Sequence, residues 1–177
     1  RKQIILPRKG VLELQRLLEG GDGELELEVG RSHVRVRRDD VIFTSKLIDG
    51  RFPDYEAVIP IAADKLVHVE REVLRAALQR AAILSNEKFR GVKLEVDSNL
   101  LRIVAHNPEN EEAVEEVEAK TSAQGLAIGF NVNYLQDALS ALRGEEVVIQ
   151  LRDANSSALV RESTDERSRH VVMPLRL

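Results

Sequence analysis

The chain has 177 residues, 43% of them apolar, with 26 Lys and Arg against 30 Asp and Glu and a formal net charge of −4. That length suits one or two domains with a buried core, and the lack of cysteine excludes disulfides and thiolate metal ligands. No apolar run approaches the roughly 20 residues of a membrane helix and residues 1–30 carry no secretory signal, so no membrane partner is expected and the cytoplasm is the expected compartment.

In chain order, "QIIL" (3–6) predicts a short strand and "PRKGVLELQRLLEG" (7–20) a helix. Pro7 stands at the helix start, Val11, Leu14, Leu17 and Leu18 recur at helical spacing, and Gly20 with Gly21 forms a stop. "ELELEV", "HVRVRR" and "VIFTSKL" then alternate as strands, separated by the turns "GRS" and "DD". After the linker "PIAAD" the order recurs. "KLVHVE" is a strand, "REVLRAALQRAAIL" a helix with Val73, Leu74, Ala77, Leu78 and Ala81 on one face, and "GVKLEV", "LLRIVAH" and "EAVEEVEAK" three more strands. A third round follows: strand "LAIGFN", helix "VNYLQDALSALRG" with Gly144 as its stop, and strands "EEVVIQL", "SALVRES" and "RHVVMPLRL".

These are three βαβββ units in an α+β chain, each too small for a comfortable core, so units should pair with helices on one side of joined antiparallel sheets. Residues 64–177 are therefore expected to form one complete two-unit domain, and residues 1–63 the second half of another. The sole methionine is Met173, so Arg1 is not a start residue and a first half is expected upstream.

Charge is sorted by segment. Residues 107–119, "NPENEEAVEEVEA", carry six Glu and no base, whereas "PRKG" and "REVLRAALQR" are net basic. On the second helix Arg71, Arg75 and Gln79 fall at i, i+4 and i+8, a basic and polar stripe with Arg80 at its edge. With Arg8 and Lys9 at the first helix start, and Arg90 and Lys93 after the second, these groups suit phosphate contacts that read no bases; the plainer reading is a solvated helix face. No nucleophile and base share a motif. "SNEK" (85–88) matches S-x-x-K without its companion motifs, His33, His68, His106 and His170 lack metal-ligand spacing, and the Glu109, Glu111 and Glu112 cluster lacks a calcium-loop pattern. No enzyme, cofactor or metal site is expected.

"FTSKLIDGRFPDY", "RAAILSNEKFRGVKLEV", "NPENEEA", "IGFNVNY" and the terminal "VVMPLRL" resemble, in order and across the whole chain, the β subunit of bacterial DNA polymerase III, the sliding-clamp family. The resemblance implies a DNA-clamp fold, with this chain as half of a middle clamp domain and all of the last. It implies a homodimeric ring in the full-length protein, with helices around sequence-independent duplex DNA. Such a ring is a non-catalytic processivity factor that tethers the polymerase III α subunit, the clamp loader δ subunit and other clamp-motif proteins.

Residue by residue, it implies DNA-facing roles for Arg8, Lys9, Arg75, Arg80, Arg90 and Lys93. A hydrophobic peptide pocket would draw on Pro53, Val58, Asn131, Tyr134, Ser157, Val171, Met173, Pro174, Leu175 and Arg176. Phe52 and Tyr55 would hold its loop. Ile83, Leu84, Glu109, Glu111 and Glu112 would meet the partner's first domain, so this stretch alone should not close a ring. Ala57 stands where some clamps carry Arg, and Asn155 where some carry an aliphatic residue. The alternative is a β-rich peptide-binding scaffold with no DNA role.

Overall fold

The computed structural model describes residues 3–19 and 23–176; Arg1 and the expected stop at Gly20 and Gly21 lie outside the described residues. It divides into two compact units, Arg1–Asp54 and Tyr55–Leu177, so the boundary expected after residue 63 falls inside the second. Among the described residues no helix is long and apolar enough to cross a membrane.

In the first unit, helix α1 (Arg8–Leu18) starts after Pro7, whose φ of −59° suits a helix entrance and whose carbonyl accepts from Val11 N at 3.0 Å. Strands β1 (Glu26–Val29), β2 (His33–Arg38) and β3 (Val41–Lys46) form an antiparallel sheet in that order. Val34 and Val36 of β2 are buried while Arg35 and Arg37, which alternate with them, are exposed, the pattern of a half-buried strand. Gly10 sets how closely α1 lies on β3, because a Cβ there would sit 2.8 Å from Ser45 Oγ. The Arg38 guanidinium donates to the Leu17 carbonyl and so satisfies an open group at the helix end. The strand expected at "QIIL" does not form: these residues join no ladder, and Ile5 offers one carbonyl to Ile48 N at 2.9 Å.

The second unit begins with a helix of one turn, α2 (Tyr55–Val58), where the sequence suggested only a loop. Strand β4 (Lys65–Glu70) leads into α3 (Arg71–Ile83), and β5 (Gly91–Asp97), β6 (Leu100–His106) and β7 (Glu112–Glu118) follow as a meander. Then come β8 (Lys120–Thr121), β9 (Leu126–Asn131), α4 (Val132–Ala141), β10 (Glu146–Leu151), β11 (Ala158–Glu162) and β12 (Arg169–Val172). The sheets run β12-β11-β10-β4-β8 and β7-β6-β5-β9. All their pairs are antiparallel.

The two repeats are therefore interleaved, not consecutive. β4 opens the first repeat but pairs with β10 of the second, and β9 opens the second but pairs with β5 of the first. Each helix is pinned by the other repeat: Arg71 N donates to Glu145 O at 2.7 Å, and Val132 N to Arg90 O at 2.8 Å. The core is shared accordingly, with Leu74, Leu78, Leu94, Ile103, Phe130, Leu139 and Ile149 all in one buried cluster.

Three local expectations change. Val73, placed on the core face of α3, is 43% exposed, because the buried stripe is Leu74, Ala77, Leu78 and Ala81 and Val73 falls at its edge. Helix α4 ends at Ala141 and not at Gly144: buried Leu142 turns extended (φ −86°, ψ 152°) and enters the core. The strand "EAVEEVEAK" is two strands, since the chain leaves the four-stranded sheet after Glu118 and Lys120 and Thr121 pair with β4.

Candidate functional site

The basic residues of α3 are all held by local acceptors. Arg71 is largely buried; its Nε donates to Gly144 O at 2.8 Å and its Nη1 lies 2.8 Å from Glu72, so it ties α3 to the end of α4. Arg75 reaches Glu72 Oε2 at 3.0 Å. Arg80 forks onto Glu115 of β7, with Nε at 2.9 Å and Nη2 at 2.6 Å. The hydrogen bond from Arg80 holds the Glu115 carboxyl below its usual range, and Glu115 raises the guanidinium in turn. Arg75 and Arg80 keep exposed edges, with side-chain exposures of 38% and 57%, so each can exchange its carboxylate for a phosphate.

Arg90 and Lys93 do not share that face. Arg90, at a left-handed φ of 50°, turns its Nη1 back onto Ala82 O at 3.3 Å and caps α3. Val92, Leu94 and Val96 of β5 enter the core beneath the helices, so Lys93 projects from the opposite face of the sheet, where its Nζ meets Glu95 at 2.7 Å. Arg8 and Lys9 are exposed at the start of α1 in the first unit.

Of the apolar contacts expected at a subunit interface, Ile83 is 77% exposed at the end of α3, and Leu84, half-buried, closes that helix by donating to Ala81 O. Glu109 and Glu111 sit in the turn from β6 to β7, where the Asn107 side chain bridges to Glu111 at 2.6 Å, and Glu112 starts β7 at 3.5 Å from His106. β7 is the edge of its sheet. Ser85 of the S-x-x-K match is buried and its hydroxyl donates to Ala82 O at 2.7 Å, a helix-end cap.

The residues expected in one peptide pocket fall in two neighbourhoods. Val58 and Val171 line a groove of about 560 Å³ with Tyr55, Ile59, Glu166 and Arg169. Tyr55 and Ile59 are a helical turn apart, a spacing that marks them in the sequence, whereas Glu166 and Arg169 carry no such signal. Met173, Pro174, Leu175 and Arg176 border a second groove, also about 560 Å³, over Ile128, Gly129 and Asn155. Ser157 joins the linker to this end of the unit by donating to Val58 O at 3.3 Å. Asn131 accepts from Asn133 N to cap α4 and donates to Phe89 O at 3.1 Å, while Tyr134 stands 59% exposed on the same helix. Pro53 belongs to the first unit.

The tail is the element that builds the second groove. Past β12 the chain leaves its own sheet: Pro174 makes an isolated bridge with Phe130, and Leu175 N donates to Gly129 O at 2.7 Å, so residues 173–176 run along β9 as a strap. Met173 stays 63% exposed at the groove mouth. The adaptable thioether over an apolar floor, beside backbone groups of a sheet edge, suits short peptide segments of varied shape.

Comparison with known proteins bears on this arrangement. Residues 56–176 match the model of the C-terminal domain of the DNA polymerase III beta subunit, and residues 1–54 that of its central domain. The chain belongs to the DNA polymerase III beta subunit family. It is 52% identical over 177 residues to the beta sliding clamp of Pseudomonas aeruginosa and 49% identical over 174 residues to that of Escherichia coli strain K12, covering 100% and 98% of this chain. A crystal structure of the Pseudomonas aeruginosa sliding clamp bound to griselimycin superposes with a TM-score of 0.90, covering 100% of this chain and 48% of that one. The chain spans about half the length of the curated relatives it matches, 48% in each of these two. The α+β clamp fold is thereby established.

Proposed function

We propose that this chain is the C-terminal half of a sliding clamp, part of a homodimeric ring that encircles duplex DNA without reading its sequence and holds replication proteins on it. Residues 1–54 would complete a middle clamp domain, and residues 55–177 would form the last. The ring makes and breaks no bonds; it works in the cytoplasm as a processivity factor, with the polymerase III α subunit, the clamp loader δ subunit and other clamp-motif proteins docking through short apolar segments. The observation that carries this reading is the family match across both units, joined to a basic α3 whose arginines keep exposed edges.

DNA contact is assigned to Arg75 and Arg80, with Arg8 and Lys9 of the first unit; Arg90 supports them by capping α3, and Lys93 is left out. Because each arginine already holds a carboxylate, a phosphate gains little over the partner it displaces, and contacts of this kind are weak and mobile. Ile83, Leu84 and the acidic turn would face the partner subunit. Val58, Val171, Met173, Pro174, Leu175 and Arg176 would take the peptide, with Asn131, Tyr134, Ser157 and Pro53 at its margins.

Replacing both Arg75 and Arg80 with Glu in the full-length protein should sharply reduce retention on circular duplex DNA while leaving peptide binding intact. Unchanged retention would favour the peptide-binding scaffold with no DNA role.

A further inference from the structure

We infer a second peptide subsite on the far side of the C-terminal strap: the groove of about 570 Å³ bounded by Phe89, Val104, Lys93, His106, Leu175 and Arg176 takes an acidic, apolar continuation of a docked peptide. This rests on the peptide-binding reading of the adjoining groove.

The groove lies on the outer face of the four-stranded sheet. Lys93 pairs in register with Val104 on one side and Gly129 on the other, so the Lys93 and Val104 side chains project away from α3 on the face where Gly129 leaves room. Leu175, bonded through its N–H to Gly129 O, lies across this face. Leu175, Arg176 and Lys93 thus border both grooves, so the two adjoin and a longer peptide can reach from one to the other.

The new groove has an exposed aromatic on a held backbone. Phe89 is 54% exposed, yet its N–H donates to Asn86 Oδ1 at 3.1 Å, its carbonyl accepts from Asn131 Nδ2 at 3.1 Å, and Arg90 follows at φ 50°. A rigid aromatic beside a nearly buried valine is the kind of anchor that concentrates binding energy. The occupant's charge follows from the rim. In a chain with more acids than bases, no carboxylate among the described residues lines this groove, whereas the cations Lys93 and Arg176 do. Lys93 has a partner in Glu95, but that acid sits outside the lining and the Lys93 side chain keeps 38% of its surface exposed. An apolar side chain flanked by carboxylates complements this surface; a basic flank meets like charge.

Three synthetic peptides test it by fluorescence anisotropy on the full-length protein: a core of two leucines and a phenylalanine, the core extended at either end by alternating Glu and Leu, and the core extended by Lys and Leu. The acidic extension at one end should tighten binding by about three- to tenfold, the basic one should not, and Phe89→Ala should remove the gain while leaving the core peptide's affinity unchanged. In parallel, the Glu-Leu extension alone, at millimolar concentration, should shift the amide signals of Phe89, Val104 and Leu175 by NMR. If the core peptide does not bind but the extension still shifts these signals, the adjoining pocket falls and this subsite stands. If neither the extended peptide gains affinity nor the signals move, the subsite is overturned. It is likewise overturned if a short DNA duplex moves those signals and the acidic peptide does not.

Discussion

Asp153 is half-exposed, yet its carboxyl is lowered to about 2 from an ordinary 3.8, because it accepts from Asn155 N, Arg152 and Ser156 at once. Asp165 is lowered to about 2 chiefly by the side chain of Arg167. A group whose folded value is depressed lends stability that is present above its unfolded value and lost as pH falls through the folded one, so both contributions fade between about pH 4 and pH 2. The loop at 152–157 borders the groove through Asn155 and bonds Val58 through Ser157, so its loosening has a local readout. We expect the Asp153 carboxyl to titrate near pH 2 by NMR, and Asp153→Asn to speed amide exchange at Asn155 at neutral pH. A midpoint at 3.8 would show that the three hydrogen bonds do not persist in solution.

The strap is the element on which the peptide-binding reading depends. Among the described residues its attachment to β9 is one bridge and one backbone hydrogen bond, so it can be released without touching the core. Leu175→Pro removes the donor to Gly129 O; we expect a stability loss of about 0.5–1.5 kcal/mol and a much larger fractional loss of peptide binding. Met173→Ala, which removes packing atoms and no charge, should weaken the peptide by about 1–3 kcal/mol with melting unchanged. Calorimetry paired with thermal melting checks both, and full-strength binding by either variant would reduce the tail to a closing segment. Phe130, fully buried on the other side of that bridge, belongs to the core instead, and Phe130→Ala should cost about 3–5 kcal/mol in a denaturant titration.

For the molecule as a whole, the exchange of β4 and β9 between repeats has a folding consequence. Neither repeat of the second unit holds a closed core: one lacks a strand in its sheet and the other lends its own. Segments 55–122 and 123–177, produced separately, should therefore stay largely unfolded and gain helix and strand signal by circular dichroism only when mixed. Cooperative melting of either segment alone would refute this. Long-range pairings of this type close large loops before they are rewarded, so the intact unit should also fold more slowly than a helical bundle of its size.

Much was legible in the sequence by itself. Period-two and helical spacing located β2, β4, β5, β6, β9, β10 and α3 to within a residue or two, because a half-buried strand or helix needs that pattern to bury one face. The family was legible too, since "RAAILSNEKFRGVKLEV" and "VVMPLRL" are long and specific. Placement across the fold was not. Spacing along α3 puts Arg71 and Arg75 in one stripe, but only packing against α4 buries Arg71 and leaves Arg75 at the surface. Lys93 reads as one more base near a basic helix, and only the shared core shows that it leaves the sheet on the opposite face. The interleaving of repeats, the strap along β9 and the split of the expected pocket into two grooves all depend on which strand pairs with which. That choice is made by non-local burial, and a one-dimensional pattern repeated twice is equally consistent with either pairing.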